Sequence, residues 1–321
     1  MHRENRKRSV VSLVLGLTAV LMFAAGSASA QQTKPIPVNH CGQTLNQAGK
    51  TYVLTTDLDC SGSFADGLDI SASNVTFHLG NHTLSSTDCD LSRQMYGIFV
   101  PGNITNVKID GGTVRGFEDG VVLSSTKSRV SGMTVTGACV FGIAVQNDGN
   151  TVTTNRVTHN GWDGIGLQVA THTQITANDV SGNFGNGVAL ANNSHNNSIV
   201  NNILSSNGAA GVLIQGSDVN NNYSNTVANN ALDGNVWGIE VDNPENFVHY
   251  NTIRGNLDAG IWLTVYGSAS QVMHNTVLGS ARTDMLDDSP SCGGNTWRND
   301  FFDTDLVDGV PDGGMNVGCA R

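Results

Sequence analysis

The chain has 321 residues, of which 27 are acidic and 16 basic, and it carries 38 glycines against only 6 prolines. Its formal charge of −11 argues against nucleic acid as a partner, because phosphate backbones bind basic surfaces. Beyond the first 30 residues no apolar segment is long enough to span a bilayer, so we expect no membrane span.

Residues 1–30 have the pattern of a secretory signal segment. A basic start is followed by an apolar run over residues 10–25 and by the small residues 28–30. We therefore expect cleavage near Ala30 and a secreted or periplasmic protein. Without residues 1–30 the chain keeps 12 basic and 26 acidic residues, a formal charge of −14. Such a charge repels acidic polymers that no cation bridges, and it also keeps an exposed surface soluble.

A Gly-Ile or Gly-Val pair, followed two residues later by another apolar residue, recurs along most of the chain. Its eight copies follow one another at intervals of 22 to 27 residues and begin at Gly97, Gly120, Gly142, Gly164, Gly187, Gly211, Gly238 and Gly260. A short, regular period is typical of stacked repeats, in which each unit buries its apolar residues against its neighbours. The pattern predicts a solenoid of about nine to ten coils, with its coils over residues 74–290.

The residues within each repeat predict strands rather than helices. Ile143 and Val145 alternate with residues that would point outward, which is the period of a strand with one buried face. Apolar residues at the helical spacing are missing, and Asn, Thr, Ser and Gly fill the gaps. The connections are too short for crossover helices, so each strand should pair in parallel with its counterpart one coil later. The predicted fold class is therefore an all-β, single-stranded parallel β-helix.

Asn residues recur in two columns with the same period. One column contains Asn155, Asn178, Asn202, Asn230, Asn251, Asn275 and Asn299. The other contains Asn160, Asn183, Asn207, Asn235 and Asn256. A buried Asn amide needs hydrogen-bond partners, and an Asn one coil above or below can supply them. We interpret the columns as structural ladders, with some Asn in left-handed turn positions as the alternative.

The six cysteines predict disulfides in an exported chain, although six cysteines allow fifteen pairings. The ends of a solenoid expose apolar core and strand edges, so stapled caps are expected there. We place an N-terminal cap at residues 31–73 and a C-terminal cap at residues 291–321. The expected bridges are Cys41–Cys60, Cys292–Cys319 and Cys89–Cys139.

The repeats resemble those of right-handed parallel β-helix proteins in the pectate-lyase-like superfamily, especially exported members with NosD-type or carbohydrate-binding and sugar-hydrolase repeats. Residues 73–84, SNVTFHLGNHTL, resemble the first-coil signature of such proteins, and Cys41–Cys60 resembles their disulfide-closed cap. The resemblance covers residues 41–320. It implies a right-handed helix, which parallel crossovers favour in general. The superfamily includes lyases, hydrolases, epimerases and proteins with no known reaction, so the fold alone does not give the activity.

Only one of the predicted Gly-led strands carries acidic residues at both outward positions. Glu240 and Asp242 would project side by side there, with Gln215 one coil earlier and Trp237 and Trp262 nearby. One carboxyl group can act as acid while its partner acts as base or nucleophile, and an indole can stack on a sugar ring. We assign Glu240 and Asp242 as catalytic candidates and the other three residues as substrate-binding candidates. The alternative is the solvated face of an acidic protein.

The segment that carries this pair, residues 237–242, resembles the Tyr-Gly-Phe-Asp-Pro-His motif of alginate epimerases. Glu240 occupies the place of the acid, and Asp242 stands where the motif has His. An elimination or epimerisation of the kind that the resemblance implies would lose its proton-transfer partner here.

Two further groups are candidates for metal binding. Asp303, Asp305 and Asp308 approach a calcium loop, although the third Asp is one residue late and the usual Glu is missing. The alternative is a turn-rich cap. His249 and His274 fall one coil apart at neighbouring positions, which suits copper or zinc.

The favoured hypothesis is an exported protein, expected to be a monomer, that binds a polysaccharide and cleaves or modifies it as a lyase, hydrolase or epimerase. No cofactor is firmly indicated for this function, and Ca²⁺ is the candidate. If the protein is an enzyme, it is a polysaccharide lyase or a glycoside hydrolase. Two alternatives stay open: a non-catalytic extracytoplasmic scaffold or surface-interaction protein, and a NosD-like periplasmic maturation factor for metal proteins. Carboxylates in a groove favour an enzyme, a flat face favours a scaffold, and converging histidines favour a metal role.

Overall fold

The computed structural model describes residues 34–63, 65–89, 93–216, 222–307 and 310–311. These residues form a right-handed parallel β-solenoid of about 10 turns, which confirms the predicted fold class. The predicted signal segment, residues 1–30, lies outside the described residues. A short 3-10 element, Pro290–Gly294, interrupts the strands near the C-terminal end. No helix in the described part of the chain has the length and apolar character needed to cross a membrane.

Each complete coil contributes a strand to three faces of the solenoid. Face 1 is a sheet of 13 strands: Gln43–Leu45, Leu68–Ile70, Tyr96–Val100, Asp119–Leu123, Ile143–Asp148, Ile165–Thr171, Val188–Ala191, Ala210–Ile214, Trp237–Val241, Ala259–Leu263, Thr283–Asp287, Asp305–Val307 and Val310–Pro311. Face 2 contains Ile36–Val38, Thr51–Leu54, Thr76–Ser85, Lys108–Arg115, Arg129–Ser131, Thr151–Thr153, Gln174–Thr176, Ser198–Val200, Thr226–Ala228, Phe247–His249, Gln271–Met273 and Thr296–Arg298. Face 3 contains Leu58–Asp59, Thr134–Thr136, Arg156–Thr158, Asp179–Ser181, Ile203–Ser205, Ala231–Asp233, Thr252–Arg254, Thr276–Leu278 and Phe301–Phe302. Faces 2 and 3 form one 21-stranded sheet, because Thr76–Ser85 and Lys108–Arg115 continue around the corner between them.

Equivalent residues of successive repeats lie directly above one another. On face 1, Ile143 pairs with Ile165 and Ile165 pairs with Val188, all in parallel register. These three side chains point inward and are fully buried. The period of the sequence therefore corresponds to one coil, and each coil buries its apolar residues against the coils before and after it. Parallel pairing already joins Ile36–Val38 to Thr51–Leu54, within the segment that the sequence predicts as an N-terminal cap.

Gly142 shows why a Gly begins the face 1 strand of so many coils. A Cβ atom at this position would lie 2.4 Å from Val157 Cγ1, 2.6 Å from Asn160 Nδ2 and 2.7 Å from the carbonyl oxygen of Gly164. A packed interior has no room for contacts this short. The repeated Gly therefore lets the face 1 strand approach the buried Val and Asn of the same coil.

The two predicted Asn columns form hydrogen-bonded ladders inside the corners of the solenoid. Asn178 Oδ1 accepts the backbone N–H and the side-chain amide of Asn155, at 2.9 and 3.0 Å. The side-chain amide of Asn178 also donates to the Val152 carbonyl at 3.0 Å. The second column repeats this pattern, for example between Asn183 and Asn207. The buried amides are thereby satisfied, as a protein interior requires.

The first ladder ends at Asp300, not at Asn299 as the sequence analysis proposed. Asp300 Oδ1 accepts the backbone N–H and the side-chain amide of Asn275 at 2.7 and 2.8 Å. Asn299 instead occupies a left-handed position with φ of 56°, a conformation that Asn tolerates. In a chain so rich in Asn, the spacing alone did not separate the ladder position from the turn position just before it.

A third series of buried polar residues, at the corner between faces 1 and 2, was missed by the sequence analysis. Hydrogen bonds between consecutive coils join Ser128 to Asn150, and join Thr173, Asn197, Asn225, Asn246, Ser270 and Asn295 in order. Ser and Thr replace Asn in several coils, which hides the repeat in the sequence. Their hydroxyl groups and the Asn amides satisfy the backbone at this corner in the same way.

Two disulfides are seen among the described residues, Cys41–Cys60 and Cys89–Cys139, and both match the predicted pairs. The first joins Cα atoms 5.6 Å apart at the N-terminal end of the solenoid. Cys292 is also disulfide-bonded, and its predicted partner Cys319 lies outside the described residues. A bridge at the first coil fastens a chain end that would otherwise fray from the sheet edge.

Candidate functional site

Glu240 and Asp242 project from the same outward side of one coil on face 1. Glu240 lies in the strand Trp237–Val241, and Asp242 follows it directly. The residues that alternate with them, Ile239 and Val241, are fully buried in the core. Strand geometry therefore brings the two carboxyl groups together, about 7 Å apart as judged from the rise of two residues.

The surroundings of the pair disfavour ionisation, more strongly for Glu240 than for Asp242. Burial, with a smaller effect from the charge of Asp242, raises the pKa of Glu240 to about 7. Burial also raises the pKa of Asp242, but hydrogen bonds from the Thr264 side chain and the Gly216 N–H oppose this rise. No such hydrogen bond favours the ionised form of Glu240. The surroundings therefore differ between the two carboxyl groups, and Glu240 is the one that keeps its proton up to a pH of about 7.

The predicted aromatic residues lie on the same coil and on the next. Trp262 pairs directly with Glu240 across adjacent strands, and its ring centroid lies 5.7 Å from that of Trp237. The indole N–H groups donate to Asp258 and Asp288, each at 2.9 Å, so both rings are held in place. Both tryptophans are only half-buried. Gln215 lies one coil before Asp242 and is exposed. The structure thus places the five predicted site residues on three consecutive coils.

A groove of about 500 Å³ lies along face 1 on the coils that precede the carboxyl pair. It is lined by Val140, Phe141, Trp162, Asp163, Gly166, Leu167, Gln168, Asn186, Ala189, Ala191, Asn192, Leu213 and Gln215. Leu213 pairs with Glu240 on the next strand, so the groove ends beside the carboxyl groups. Its floor contains small residues, which leave room for a ligand.

The wall of the groove is aromatic, and the sequence analysis missed it. Phe141 and Trp162 stack with ring centroids 6.4 Å apart, and Trp162 is 59% exposed. A Cβ atom at Gly166 would lie 2.8 Å from Phe141 Cδ1, so this Gly lets the Phe141 ring lie close to the floor. Phe141 and Trp162 both precede the face 1 strands of their coils, so neither occupies an outward position of a strand. The missed signal was an aromatic residue one or two places before the repeated Gly in two consecutive coils.

Two other acidic residues of face 1, Asp119 and Asp163, connect neighbouring coils. Asp119 Oδ1 accepts the backbone N–H of Phe141 at 2.8 Å, and Asp163 Oδ1 accepts the backbone N–H of Asn186 at 2.7 Å. Burial raises the pKa of Asp119 to about 6, and it also raises the pKa of Asp163. Because these carboxyl oxygens satisfy backbone groups of the next coil, we assign both residues a structural role.

The calcium candidate falls only partly within the described residues. Asp303 is exposed, and its backbone N–H donates to Asp284 Oδ2 at 3.0 Å. Asp305 begins the strand Asp305–Val307, and Asp308 lies outside the described residues. The calcium assignment therefore stays a prediction.

The histidine pair shows an aromatic contact. His274 stacks on Tyr250 with ring centroids 4.9 Å apart, and His249 contacts the same Tyr250 ring edge-on. Within the part of the chain that the structure describes, no group of three or more His, Cys, Asp or Glu residues could hold a metal ion. A metal role for these histidines likewise stays a prediction.

Several solved structures have a similar fold. The A-module of the Azotobacter vinelandii mannuronan C-5 epimerase AlgE6 is 18% identical, with 85% of this chain and 88% of that chain covered and a TM-score of 0.64. DFA-IIIase from Arthrobacter chlorophenolicus A6, without its lid, is 16% identical, with 84% and 72% covered and a TM-score of 0.57. The Dettilon tailspike protein is 17% identical over 85% of this chain, with a TM-score of 0.56, and the chain spans only 56% of its length. At these identities the similarity shows the fold alone.

A search of curated proteins finds no sequence match. The family model described as "right handed beta helix region" matches residues 45–204 and 96–243, which together cover more than half of the chain. The match includes the strand that carries Glu240 and Asp242. Sequence and structure therefore agree, and the chain belongs to the right-handed β-helix family.

Proposed function

We propose that the protein binds a polysaccharide along face 1 and hydrolyses it at Glu240 and Asp242. The observation that carries the proposal is a pair of half-buried carboxyl groups at the end of an aromatic-walled groove, where the pKa of Glu240 is raised to about 7. A similar structure is an epimerase named for mannuronan, which supports a carbohydrate ligand for this fold.

The groove has the chemical character of a sugar-binding site. The exposed face of Trp162 can stack on the apolar face of a sugar ring. The side-chain amides of Gln168, Asn192 and Gln215 line the same space, and each can both donate to and accept from a hydroxyl group. The groove therefore offers an apolar surface and orienting polar groups together, as ligand sites usually do.

The two carboxyl groups have different roles in hydrolysis because one acts in its protonated form and the other in its ionised form. Glu240, protonated below a pH of about 7, donates its proton to the glycosidic oxygen as the bond from that oxygen to the anomeric carbon breaks. Asp242 acts in its ionised form, which the hydrogen bond from Thr264 favours. It either takes a proton from the attacking water or attacks the anomeric carbon itself and is later released by water. A separation of about 7 Å lies between the distances typical of the two routes. Both routes add one water and give two shorter sugars.

A cleavage assay on neutral and acidic polysaccharides, with and without Ca²⁺, tests this proposal by counting new reducing ends. The wild type should cleave at least one polymer, and Glu240→Gln should lower the rate by about 10²- to 10⁴-fold, since it removes the proton donor. Asp242→Asn should have a similar effect. Asp233→Asn, on face 3, is the matched control and should keep full activity. Folded protein that binds a glycan but cleaves none would contradict hydrolysis and favour the non-catalytic alternative.

A further inference from the structure

We infer that the glycan held by this groove is uncharged, so that the substrate is a neutral polysaccharide rather than a polyuronate. The inference rests on the proposed function, because it names the class of substrate for the same groove. The observation behind this inference is the set of charged residues in and beside the groove.

The described lining of the groove contains one acidic residue and no basic one. Asp163 is its one ionisable residue, and Glu240 and Asp242 follow on the next coil. A uronate polymer would bring one carboxylate per sugar past these residues, into a partly dry groove where burial already raises the pKa of Asp163, Glu240 and Asp242 and so disfavours ionised carboxyl groups.

Two of the described arginines lie beside carboxylates outside the groove lining. Arg282 lies 3.8 Å from Asp258, the carboxylate that also holds the Trp237 indole. Arg156 is on face 3 and lies 4.0 Å from Asp179. Among the described residues, no cluster of three or more His, Cys, Asp or Glu could hold a divalent cation as a bridge to a uronate. The described lining of the groove therefore has no basic side chain that would balance the charge of a bound carboxylate.

A neutral sugar fits the same lining without any charge compensation. Stacking on Phe141 and Trp162 needs only the apolar face of the ring. Hydroxyl groups can exchange hydrogen bonds with Gln168 and Asn192. The carboxyl groups of Glu240 and Asp242 also suit glycoside hydrolysis, which needs no carboxylate on the sugar.

Matched pairs of oligosaccharides that differ only at C6 test this inference. Neutral hexasaccharides of glucan, galactan and mannan are compared with hexasaccharides of glucuronan, galacturonan and mannuronan that have the same linkage. Calorimetric titration of the wild-type protein, at a low temperature that slows cleavage, gives the dissociation constant of each. The neutral member of at least one pair should bind about tenfold more tightly, or better, than its carboxylated counterpart. The preference should shrink in Glu240→Gln/Asp242→Asn. It should persist in the matched control Asp179→Asn/Asp233→Asn, which changes two acidic residues on face 3.

The outcomes separate the inference from the proposed function. A smaller preference, or a uronate that binds more tightly with or without Ca²⁺, overturns the neutral substrate class and leaves the groove as a glycan site. Failure of every oligosaccharide to bind overturns the proposed function and the inference together. The wild-type ratio alone decides, so the result does not depend on whether the variants fold.

Discussion

The charge of Asp242 adds to burial in raising the pKa of Glu240 to about 7, from two residues away on the same coil. The equivalent outward positions of the five preceding coils carry neutral residues such as Ala144 and Gln146. Along this part of face 1 the outward positions are therefore neutral until Glu240 and Asp242 introduce a pair of acids. Paired carboxyl groups with different protonation are the usual arrangement in sites that carry out acid–base chemistry.

The pH dependence of cleavage should report the protonation of Glu240. Activity should decline on the alkaline side with an apparent pKa of about 7, because the proton donor is lost as pH rises through that value. Glu240→Gln should lower kcat/KM by about 10²-fold or more and abolish this alkaline limb. Rates measured from pH 4 to pH 9 check the prediction. An alkaline limb that survives in the variant would assign the proton donor to another group.

Stability should depend on the same group. The pKa of Glu240 is higher in the folded state than its ordinary value of 4.5, so its contribution to stability is complete below pH 4.5 and is lost as pH rises through about 7. Glu240→Gln should therefore gain about 1 kcal/mol over the wild type between pH 4 and pH 8, a value reduced because the carboxyl group is partly exposed. Urea unfolding at both pH values measures this difference. The exposed Glu245→Gln is the control and should gain nothing; an equal gain in both variants would reject a local effect.

The fold could be predicted from the sequence because the same packing constraints recur in every coil. Gly142 must be Gly where the strand approaches Val157 and Asn160, and Asn178 must be Asn where it completes a ladder. Such residues recur at the period of the coil. The carboxyl pair was visible for the opposite reason, because Glu240 and Asp242 depart from the repeat at outward positions.

The aromatic wall could not be found in the same way. Phe141 and Trp162 lie at a corner, where the strand period no longer says which side chains face the groove. Their position depends on the close approach of Phe141 to Gly166, a contact between consecutive coils. The burial that raises the pKa of Glu240 likewise depends on neighbouring coils, and no spacing in the chain reports it.

The aromatic wall should contribute to binding without contributing much to stability. Trp162 is 59% exposed, so Trp162→Ala removes a stacking surface and little core. We expect affinity for a bound oligosaccharide to fall about tenfold, which corresponds to roughly 1.4 kcal/mol, with the unfolding midpoint unchanged. Tyr250→Ala, an equally exposed aromatic residue at another corner, is the control. Equal losses of affinity in the two variants would argue against a binding role for the groove.

The second Asn ladder ends one coil early, which gives a prediction independent of function. Asn256 Nδ2 and Ser280 Oγ are buried and have no hydrogen-bond partner among the described residues. In earlier coils this amide donates to the next Asn, as Asn207 does to Asn235 at 3.0 Å. Ser280→Asn should supply the missing acceptor and raise the free energy of unfolding by about 1 kcal/mol. Urea unfolding of the wild type and of Ser280→Asn measures this difference in the free energy of unfolding.

Ser280→Ala is the matched control for the ladder, because it leaves the Asn256 amide unpaired and should not stabilise the protein. A destabilised Ser280→Asn would show that position 280 does not accept a ladder residue, despite its place in the sequence period.

A crystal structure of Glu240→Gln with the tightest-binding oligosaccharide tests the central claim most directly. Sugar rings should lie along face 1 against Trp162, with a glycosidic oxygen within hydrogen-bond distance of the residue 240 side chain. A sugar bound to face 2 or face 3, or one that lies in the groove with its glycosidic bonds remote from both residue 240 and Asp242, would contradict the assignment of this pair as the site of cleavage.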